Sequence, residues 1–446
     1  MTEQPQPAPS RPDAAPALRV GVLGSGTVGT QVVRLLLEQA DDFAARSGAR
    51  LEVTGVAVRN LDAPRDPSVP RALLTDDVTA VATGNDIVIE LIGGIEPART
   101  LTLAAFKSGA SVVTGNKALI AAHGPELYDA AAAAGTDFYY EAAVAGAVPV
   151  VYGLRESLAG DRITKVMGIV NGTTNFILDA MDSQGLGYAD ALAEAQRLGY
   201  AEADPTADVE GLDAAAKCSI LASLAFHTRV GIDDVEVEGI TRVTSEDMAQ
   251  ARREGRVIKL LAIAERRTGD DGREGVSMRV HPAQIPADHP LASVDGAFNA
   301  IVVEGEAAGR LMFYGQGAGG APTASAVLSD VVAAAHHRAY GGHAPRESVY
   351  AHLPVLDPGS ARTRYHVRMR VEDRIGVLAD VAGVFADHGA SIQAVSQHDD
   401  DSESGACSLI VTTHLAREAD LRAVVRALGH CAAVREVVSA IRVEGD

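Results

Sequence analysis

The sequence predicts an α/β fold in three parts: an N-terminal doubly wound parallel sheet, an α+β middle domain, and a C-terminal ferredoxin-like βαββαβ unit. Three observations carry this reading. A glycine turn, Gly24-Ser25-Gly26-Thr27-Val28-Gly29, stands between an apolar run and a helical pattern. Short apolar strands then alternate with helical stretches to about residue 141, as in an open parallel sheet covered on both faces. From Arg362 the chain reads strand, helix, strand, strand, helix, strand, the order of a ferredoxin-like unit. A length of 446 residues suits about three domains of roughly 150 residues each.

The first strand is Leu18 to Leu23, and Val32, Val33, Leu35, Leu36 and Leu37 supply the helical apolar spacing after the turn. Further strands are expected at Leu51 to Val58, Asp86 to Ile92 (ending in Gly93-Gly94), Ser111 to Thr114 and Thr136 to Glu141, with helices at Pro97 to Ser108 and Gly124 to Gly135. The block from 149 to 345 is less regular. It holds a strand-like Lys165 to Val170 and helices at Tyr188 to Gly199 and Leu212 to Ala225, then a glycine-rich Gly315 to Gly320 leading into a helix Thr323 to His337. That last helix is expected to pack back on the nucleotide-binding domain. The last part comprises Tyr365 to Val371, Gly376 to His388, Ser391 to Gln397, an acidic loop Asp399 to Glu403, Ser408 to His414, Glu418 to Leu428 and Val434 to Val443. The expected domains are therefore a disordered tail (1–16), a nucleotide-binding domain (17–148), a catalytic and oligomerisation domain (149–345), a Pro- and Gly-containing linker (346–361) and a regulatory domain (362–446).

Composition excludes several classes. A formal charge of −20 opposes the phosphate-neutralising surface that nucleic-acid binding needs. No apolar stretch approaches the ~18 residues of a membrane span. Cys218, Cys407 and Cys431 are far apart and form no C-x-x-C, against a disulfide framework or zinc ribbon and in favour of a reducing compartment. The first 16 residues carry five prolines and no apolar segment of the kind a secretory signal needs, so a cytoplasmic protein is expected. No cysteine precedes Cys218 to serve as an acylating thiol there, and the histidines show no H-E-x-x-H, so zinc-assisted oxidation lacks support.

The G-x-G-x-x-G at Gly24, Gly26 and Gly29, with Thr27 and Val28 inside it, follows a strand and opens a helix. In that Rossmann-type context the glycines let a pyrophosphate approach backbone at a helix N-terminus. The second strand ends in Arg59-Asn60 rather than an acidic residue, which favours a 2′-phosphate, hence NADP, with NAD as the alternative. Ile92 and Gly93 end the third strand on the cofactor rim. Lys117 follows the fourth strand; position alone does not separate a crevice lysine from a surface lysine at a helix start. Only five of 39 basic residues are lysine, and an ammonium can lose a proton where a guanidinium cannot, so each lysine is a candidate for chemistry. Asp213 and Lys217 lie four apart on one helical face. A surface ion pair is the plain reading; the apolar continuation through Leu224-Ala225 favours a half-buried pair able to give a proton to a developing alkoxide, with Glu202 or Asp208 available for a cationic amino group.

The run Ala195 to Lys217, A-x3-G-Y-x-E-x-D-P-x2-D-V-x-G-x-D-x3-K, resembles the homoserine dehydrogenase family at every fixed position. Gly24 to Gly29, Gly93-Gly94, Asn116-Lys117, Glu141 to Pro149, Asn171-Gly172-Thr173-Thr174-Asn175 and Gly317 to Ser325 are similar too. The resemblance spans residues 18 to 345. It implies the reversible NAD(P)-dependent reduction of aspartate 4-semialdehyde to homoserine, with Lys217 as general acid and base, Asp213 as its polar partner and Lys117 between cofactor and substrate. It also implies Glu202, Asp208, Asn171 and Thr173 at the substrate, Gly317 at the cofactor, and a monovalent cation, usually sodium, near Glu141 and the carbonyls of Val144, Gly146 and Val148. Gly115 and Ala147-Val148 depart from the family's common Ala and Gly-Ile; a carbonyl donor at 148 does not depend on the side chain. From about 363 the chain resembles an ACT domain, including Val371 to Leu378. This implies an amino-acid effector, threonine in this family's usual reading, near Asp373 and Gly376, or else a domain that only supports oligomerisation. Exposed sheet edges lead us to expect a homodimer or homotetramer. The competing functional reading is an amino-acid sensor whose dinucleotide domain is not catalytic.

Overall fold

Strand β1 (Ala17–Leu23) lies at the centre of a six-stranded sheet, between β2 (Arg50–Ala57) and β4 (Ile87–Glu90), in a computed structural model that describes residues 16–399 and 406–445. With β3 (Leu74–Thr75), β5 (Ser111–Thr114) and β6 (Phe138–Tyr139) the order is β3-β2-β1-β4-β5-β6, and every pairing is parallel. Parallel strands covered on both faces must be apolar throughout, and Ile87–Glu90 and Ser111–Thr114 are buried at every residue. The strand expected over 136–141 shrinks to two residues because Glu141–Ala143 turn into a 3-10 helix. The helix expected to begin at Gly124 begins at Lys117 and runs to Ala134. Its first turn is capped by the Asn116 side chain, which accepts from the Leu119 N–H at 3.2 Å, and Gly124 and Pro125 lie inside it. Those two residues resemble a boundary in sequence but not in space.

The chain divides into two compact units, one ending at Ala147 and resuming over Gly319–Glu347, the other running Val148–Ala318 and from Ser348 onward. In the first unit the helix Gly320–Tyr340 packs on the helices Thr27–Glu38 and Ala40–Ser47. Its Asp330 accepts from the Glu141 N–H at 2.9 Å, and its His337 lies 2.9 Å from Asp137. The tail expected to be disordered falls, Pro16 apart, outside the described residues, as does most of the acidic loop.

The second unit is built on one eleven-stranded sheet. Its strands are β7 (Ile163–Ile169), β8 (Glu236–Val237), β9 (Arg256–Thr268), β10 (Glu274–Pro286), β11 (Phe298–Gly305), β12 (Gly309–Gln316), β13 (Arg362–Glu372), β14 (Ile392–Asp399), β15 (Ala406–Thr413), β16 (Ala416–Arg417) and β17 (Val434–Val443). The main path is β12-β11-β7-β9-β10-β17-β13-β15-β14. The βαββαβ order is present, and its last strand joins it to the rest: β17 pairs antiparallel with β13 and, at Ala283↔Arg442 and Gln284↔Val443, parallel with β10. The segment read as a linker is also held, since Pro354 and Leu356 exchange backbone hydrogen bonds with Val276 at 2.9 and 2.8 Å.

Buried ion pairs hold this junction. Glu418 accepts from Arg442 at 2.7 Å and from the Tyr365 hydroxyl at 2.7 Å, and Arg368 meets Asp247 at 2.9 Å. Burial alone would raise the Glu418 pKa, but the Arg442 charge and the hydrogen bonds from Arg442, Tyr365 and Arg422 hold it below the usual range; Asp247 is held low likewise, burial being outweighed by bonds from Ser439 and Thr244 and by Arg368. A carboxylate with a depressed folded pKa contributes stability above its unfolded value, near 4, and loses it as pH falls through the folded value. The urea midpoint is therefore expected to change little from these groups down to about pH 5 and to fall steeply below about pH 4. A midpoint still unchanged at about pH 3 would contradict this.

Candidate active site

In the second unit, strand β7 runs into Val170-Asn171 and the helix Gly172–Gln184, while the turn Thr206–Gly211 opens the helix Leu212–Phe226. Gly211 has φ +83, and a Cβ there would stand 3.0 Å from Val237, so glycine is required on both counts. Two residues on, Asp213 is 6% exposed, and one further turn places Lys217 at 8%. The Lys217 Nζ donates to Asp213 Oδ2 at 2.8 Å and to the Val170 carbonyl at 2.6 Å. Asn171 Nδ2 donates to Asp213 Oδ2 at 2.8 Å and to Asp208 Oδ1 at 2.7 Å, while its Oδ1 caps the following helix through the Thr174 N–H at 2.8 Å. Thr173 Oγ1 donates to the Tyr200 carbonyl at 2.6 Å. Four predicted residues thus form one connected network, with Thr173 beside it. The Glu202 side chain is exposed, and only its backbone carbonyl is held, by Gln196 at 3.1 Å.

A charge this buried needs paired, hydrogen-bonded neighbours, and Lys217 has them. The adjacent Cys218 is no rival nucleophile: burial pushes its thiol up to about 12 despite the nearby Arg279 charge, and a thiol in that state is inert.

In the first unit the glycine turn is tight. A Cβ at Gly29 would lie 2.1 Å from the Gly24 carbonyl oxygen and one at Gly24 2.7 Å from that of Leu91, whereas Gly26 has open space and directly precedes the helix Thr27–Glu38. A helix N-terminus in general offers its first backbone N–H groups to an anion. Arg59 is exposed at the end of β2. Two residues escaped the sequence reading. Arg65 reaches back to the carbonyls of Ser25 at 3.3 Å and Asn60 at 3.0 Å, tying the loop after β2 to the glycine turn. Glu90 is fully buried, accepts from the Ile92 N–H at 2.8 Å and the Thr114 hydroxyl at 2.6 Å, and so orients Ile92-Gly93. Its signal was a carboxylate ending an otherwise apolar strand. Lys117 is the first residue of its helix, and its cap Asn116 also donates to the Gly94 carbonyl at 2.7 Å. If Arg59 reads a 2′-phosphate, Arg59→Ala raises the KM for NADPH roughly tenfold, the value of a lost charge-assisted bond, and leaves that for NADH nearly unchanged; equal effects on both cofactors would remove that role.

Glu141, Val144 and Gly146 are buried after β6, where Ala145 and Gly146 both have φ +56; Val148 opens the second unit, with its carbonyl accepting from the Val150 N–H at 2.8 Å. Carboxylate and backbone-carbonyl oxygens are hard donors, the kind a hard cation takes, and the described residues contain no group of three or more His, Cys, Asp or Glu that could hold a metal ion. Gly317 lies against the buried Asn299 side chain. Asp373 is exposed, and Gly376, φ +95, precedes the helix Val377–Asp387. No helix among the described residues is long and apolar enough to cross a membrane.

Residues 149–332 match the homoserine dehydrogenase family, 24–141 the NAD-binding domain of homoserine dehydrogenase and 365–429 the ACT domain. A homoserine dehydrogenase of Corynebacterium glutamicum is 57% identical over 444 residues, covering 98% of this chain and 99% of its own. The chain belongs to the homoserine dehydrogenase family. A Mycobacterium tuberculosis homoserine dehydrogenase is 56% identical over 96% of this chain and 97% of its own. The crystal structure of a homoserine dehydrogenase from Thiobacillus denitrificans superposes with a TM-score of 0.90 at 41% identity, covering 97% of this chain and 99% of that one. A hyperthermophilic archaeal homoserine dehydrogenase mutant, solved in complex with NADPH, has a TM-score of 0.60 at 27% identity, covering 71% of this chain and 97% of that one.

Proposed function

We propose that the chain interconverts L-aspartate 4-semialdehyde and L-homoserine with NADP as the preferred nicotinamide, Lys217 acting as general acid and base. The observation that carries this is the Lys217 ammonium, 8% exposed and held by Asp213 and the Val170 carbonyl. When bound, the nicotinamide supplies or accepts the hydride at the substrate carbon. In reduction, Lys217 gives a proton to the oxygen as it becomes an alcohol, and in oxidation it takes that proton back. Asp213, itself held by Asn171, and the Val170 carbonyl fix the direction of the N–H bonds, so little reorganisation is needed at the transition state. Asp208, Glu202 and Thr173 would bind the amino-acid end of the substrate. Lys117 would stand between cofactor and substrate, and Gly24 to Gly29, Arg59, Ile92, Gly93 and Gly317 would hold the cofactor. Glu141 with the carbonyls of Val144, Gly146 and Val148 would hold a monovalent cation, sodium in this reading.

The NADPH in the archaeal relative and the exposed Arg59 support the cofactor choice. The ACT match supports an amino-acid effector, threonine in this reading, near Asp373 and Gly376, acting by feedback. Strands β12 and β14, the ends of the strand order among the described residues, support a homodimer or homotetramer. A cytoplasmic location goes with this role. The direct test follows absorbance at 340 nm with homoserine and NADP: turnover dependent on homoserine is expected, and its absence with either nicotinamide removes the reading.

A further inference from the structure

Glu90 ends β4 beside β1, where the order β3-β2-β1-β4-β5-β6 changes direction and a doubly wound sheet opens its ligand crevice. It is fully buried and makes no ion pair among the described residues. A buried charge without a cation is costly, and Ile87, Val88 and Ile89 before it are apolar, so burial alone favours an apolar side chain here. What the carboxylate gains is a set of donors from two loops. Its Oε1 accepts from the Ile92 N–H at 2.8 Å and the Gly93 N–H at 3.4 Å, in the loop after β4. Its Oε2 accepts from the Thr114 hydroxyl at 2.6 Å, at the end of β5, and the Thr114 oxygen in turn accepts from the Asn116 N–H at 3.0 Å. Asn116 closes a second strap by donating to the Gly94 carbonyl at 2.7 Å, and it caps the helix that Lys117 begins. Packing does little to hold these loops. Gly93 and Gly94, at φ +79 and +72, have open space around them, and Gly115 brings no side chain to the Leu91 it faces. Their separation is therefore set by polar bonds, with the relay Ile92–Glu90–Thr114–Asn116 on the inner side.

We propose that Glu90 is a positioning residue for the dehydrogenase reaction: its carboxylate locks the 91–94 loop and the 114–117 loop in one register, and so fixes where Lys117 stands and how the crevice rim receives the nicotinamide cofactor. This rests on the reading above that Ile92, Gly93 and Lys117 meet the cofactor. The carboxylate is needed because every group aimed at it is a donor, and only an ionised acid accepts on both oxygens. A glutamine amide has the same shape but a single acceptor oxygen. It keeps Ile92 or Thr114, and its NH2 then faces either a backbone N–H or a Thr114 oxygen that already accepts from Asn116. The two loops are thereby uncoupled without a change in volume.

The test is fluorescence titration of the full-length protein and its variants with NADPH, well below the melting temperature so that overall stability does not enter the readout. Glu90→Gln should raise the NADPH Kd about tenfold, the effect of one charge-assisted bond. Thr114→Val keeps the volume, removes the hydroxyl and should raise Kd by a similar factor; Thr114→Ser keeps the hydroxyl and should restore the wild-type value. Because both residues act through one relay, Glu90→Gln combined with Thr114→Val should bind about as well as the weaker single variant. At saturating NADP, kcat for homoserine oxidation should fall in both single variants, since Lys117 is misplaced even with cofactor bound. If Glu90→Gln does not fold, Thr114→Val reads the same relay with the carboxylate intact. Wild-type Kd in the variants that fold would overturn the proposal, as would multiplying effects in the double variant or a loss with serine equal to that with valine. Variants that match an NADPH-binding wild type remove only the role of Glu90, whereas a wild type that binds no nicotinamide removes the dehydrogenase reading and this proposal with it.

Discussion

Replacing Lys217 with methionine is expected to lower kcat for homoserine oxidation about 10²–10⁴-fold, the usual contribution of a positioned general acid or base. Methionine keeps the length and most of the volume while removing the ammonium and its bonds to Asp213 and the Val170 carbonyl. The residue lies in the second unit, apart in the chain from the glycine turn, so NADPH affinity read by fluorescence titration should stay nearly constant. Turnover within about tenfold of the wild type would assign proton transfer elsewhere.

Arg279→Met is expected to cost about 3–5 kcal/mol of stability, the range for breaking a buried ion pair. Arg279 is 4% exposed and bridges Glu265 at 2.9 Å and Glu444 at 3.1 Å, and Glu265 also takes Lys165 at 2.9 Å. Burial alone would lower the guanidinium's pKa, but the Glu444 and Glu265 charges more than restore it. Burial would likewise raise Glu265, and the Arg279 and Lys165 charges hold it far below the usual carboxylate range. With the arginine gone, Glu444, next to β17, stays buried and Glu265 half-buried without their shared partner. The urea midpoint should drop, and Arg279→Met combined with Glu444→Gln should cost less than the sum of the single changes because both act on one network. A loss under about 1 kcal/mol would show that this interior tolerates the charges without the arginine.

The first unit was largely legible because its determinants are local. Four short apolar strands, a glycine turn and the helices beside them each occupy a few consecutive residues, and β1, β2, β4 and β5 lie close to where apolar runs place them. The helix Lys117–Ala134 was misjudged because Gly124-Pro125 mimics a boundary, whereas the Asn116 cap and buried Leu119 and Ile120 start it seven residues earlier. The four strands β9 to β12 were not legible at all. Both β9 and β10 are buried over most of their length on both faces, so neither alternates, and Arg279, His281 and Gln284 interrupt the apolar run of β10 while being buried themselves. A pattern reading takes such residues for surface.

The spacing of Asp213 and Lys217 on one helical face, the glycine turn and the order of the last βαββαβ segment were determined by the sequence alone, since each depends on residues only a few positions apart. Only the tertiary structure decided that Val170 and Asn171, more than 40 positions away in the chain, are the partners that hold Lys217 and Asp213. It alone decided, too, that β17 pairs with β10 as well as β13, making the ferredoxin-like part continuous with the sheet on which the helix bearing Lys217 packs. Such contacts arise from closing long loops and satisfying backbone groups at sheet edges, and no short window of residues encodes either.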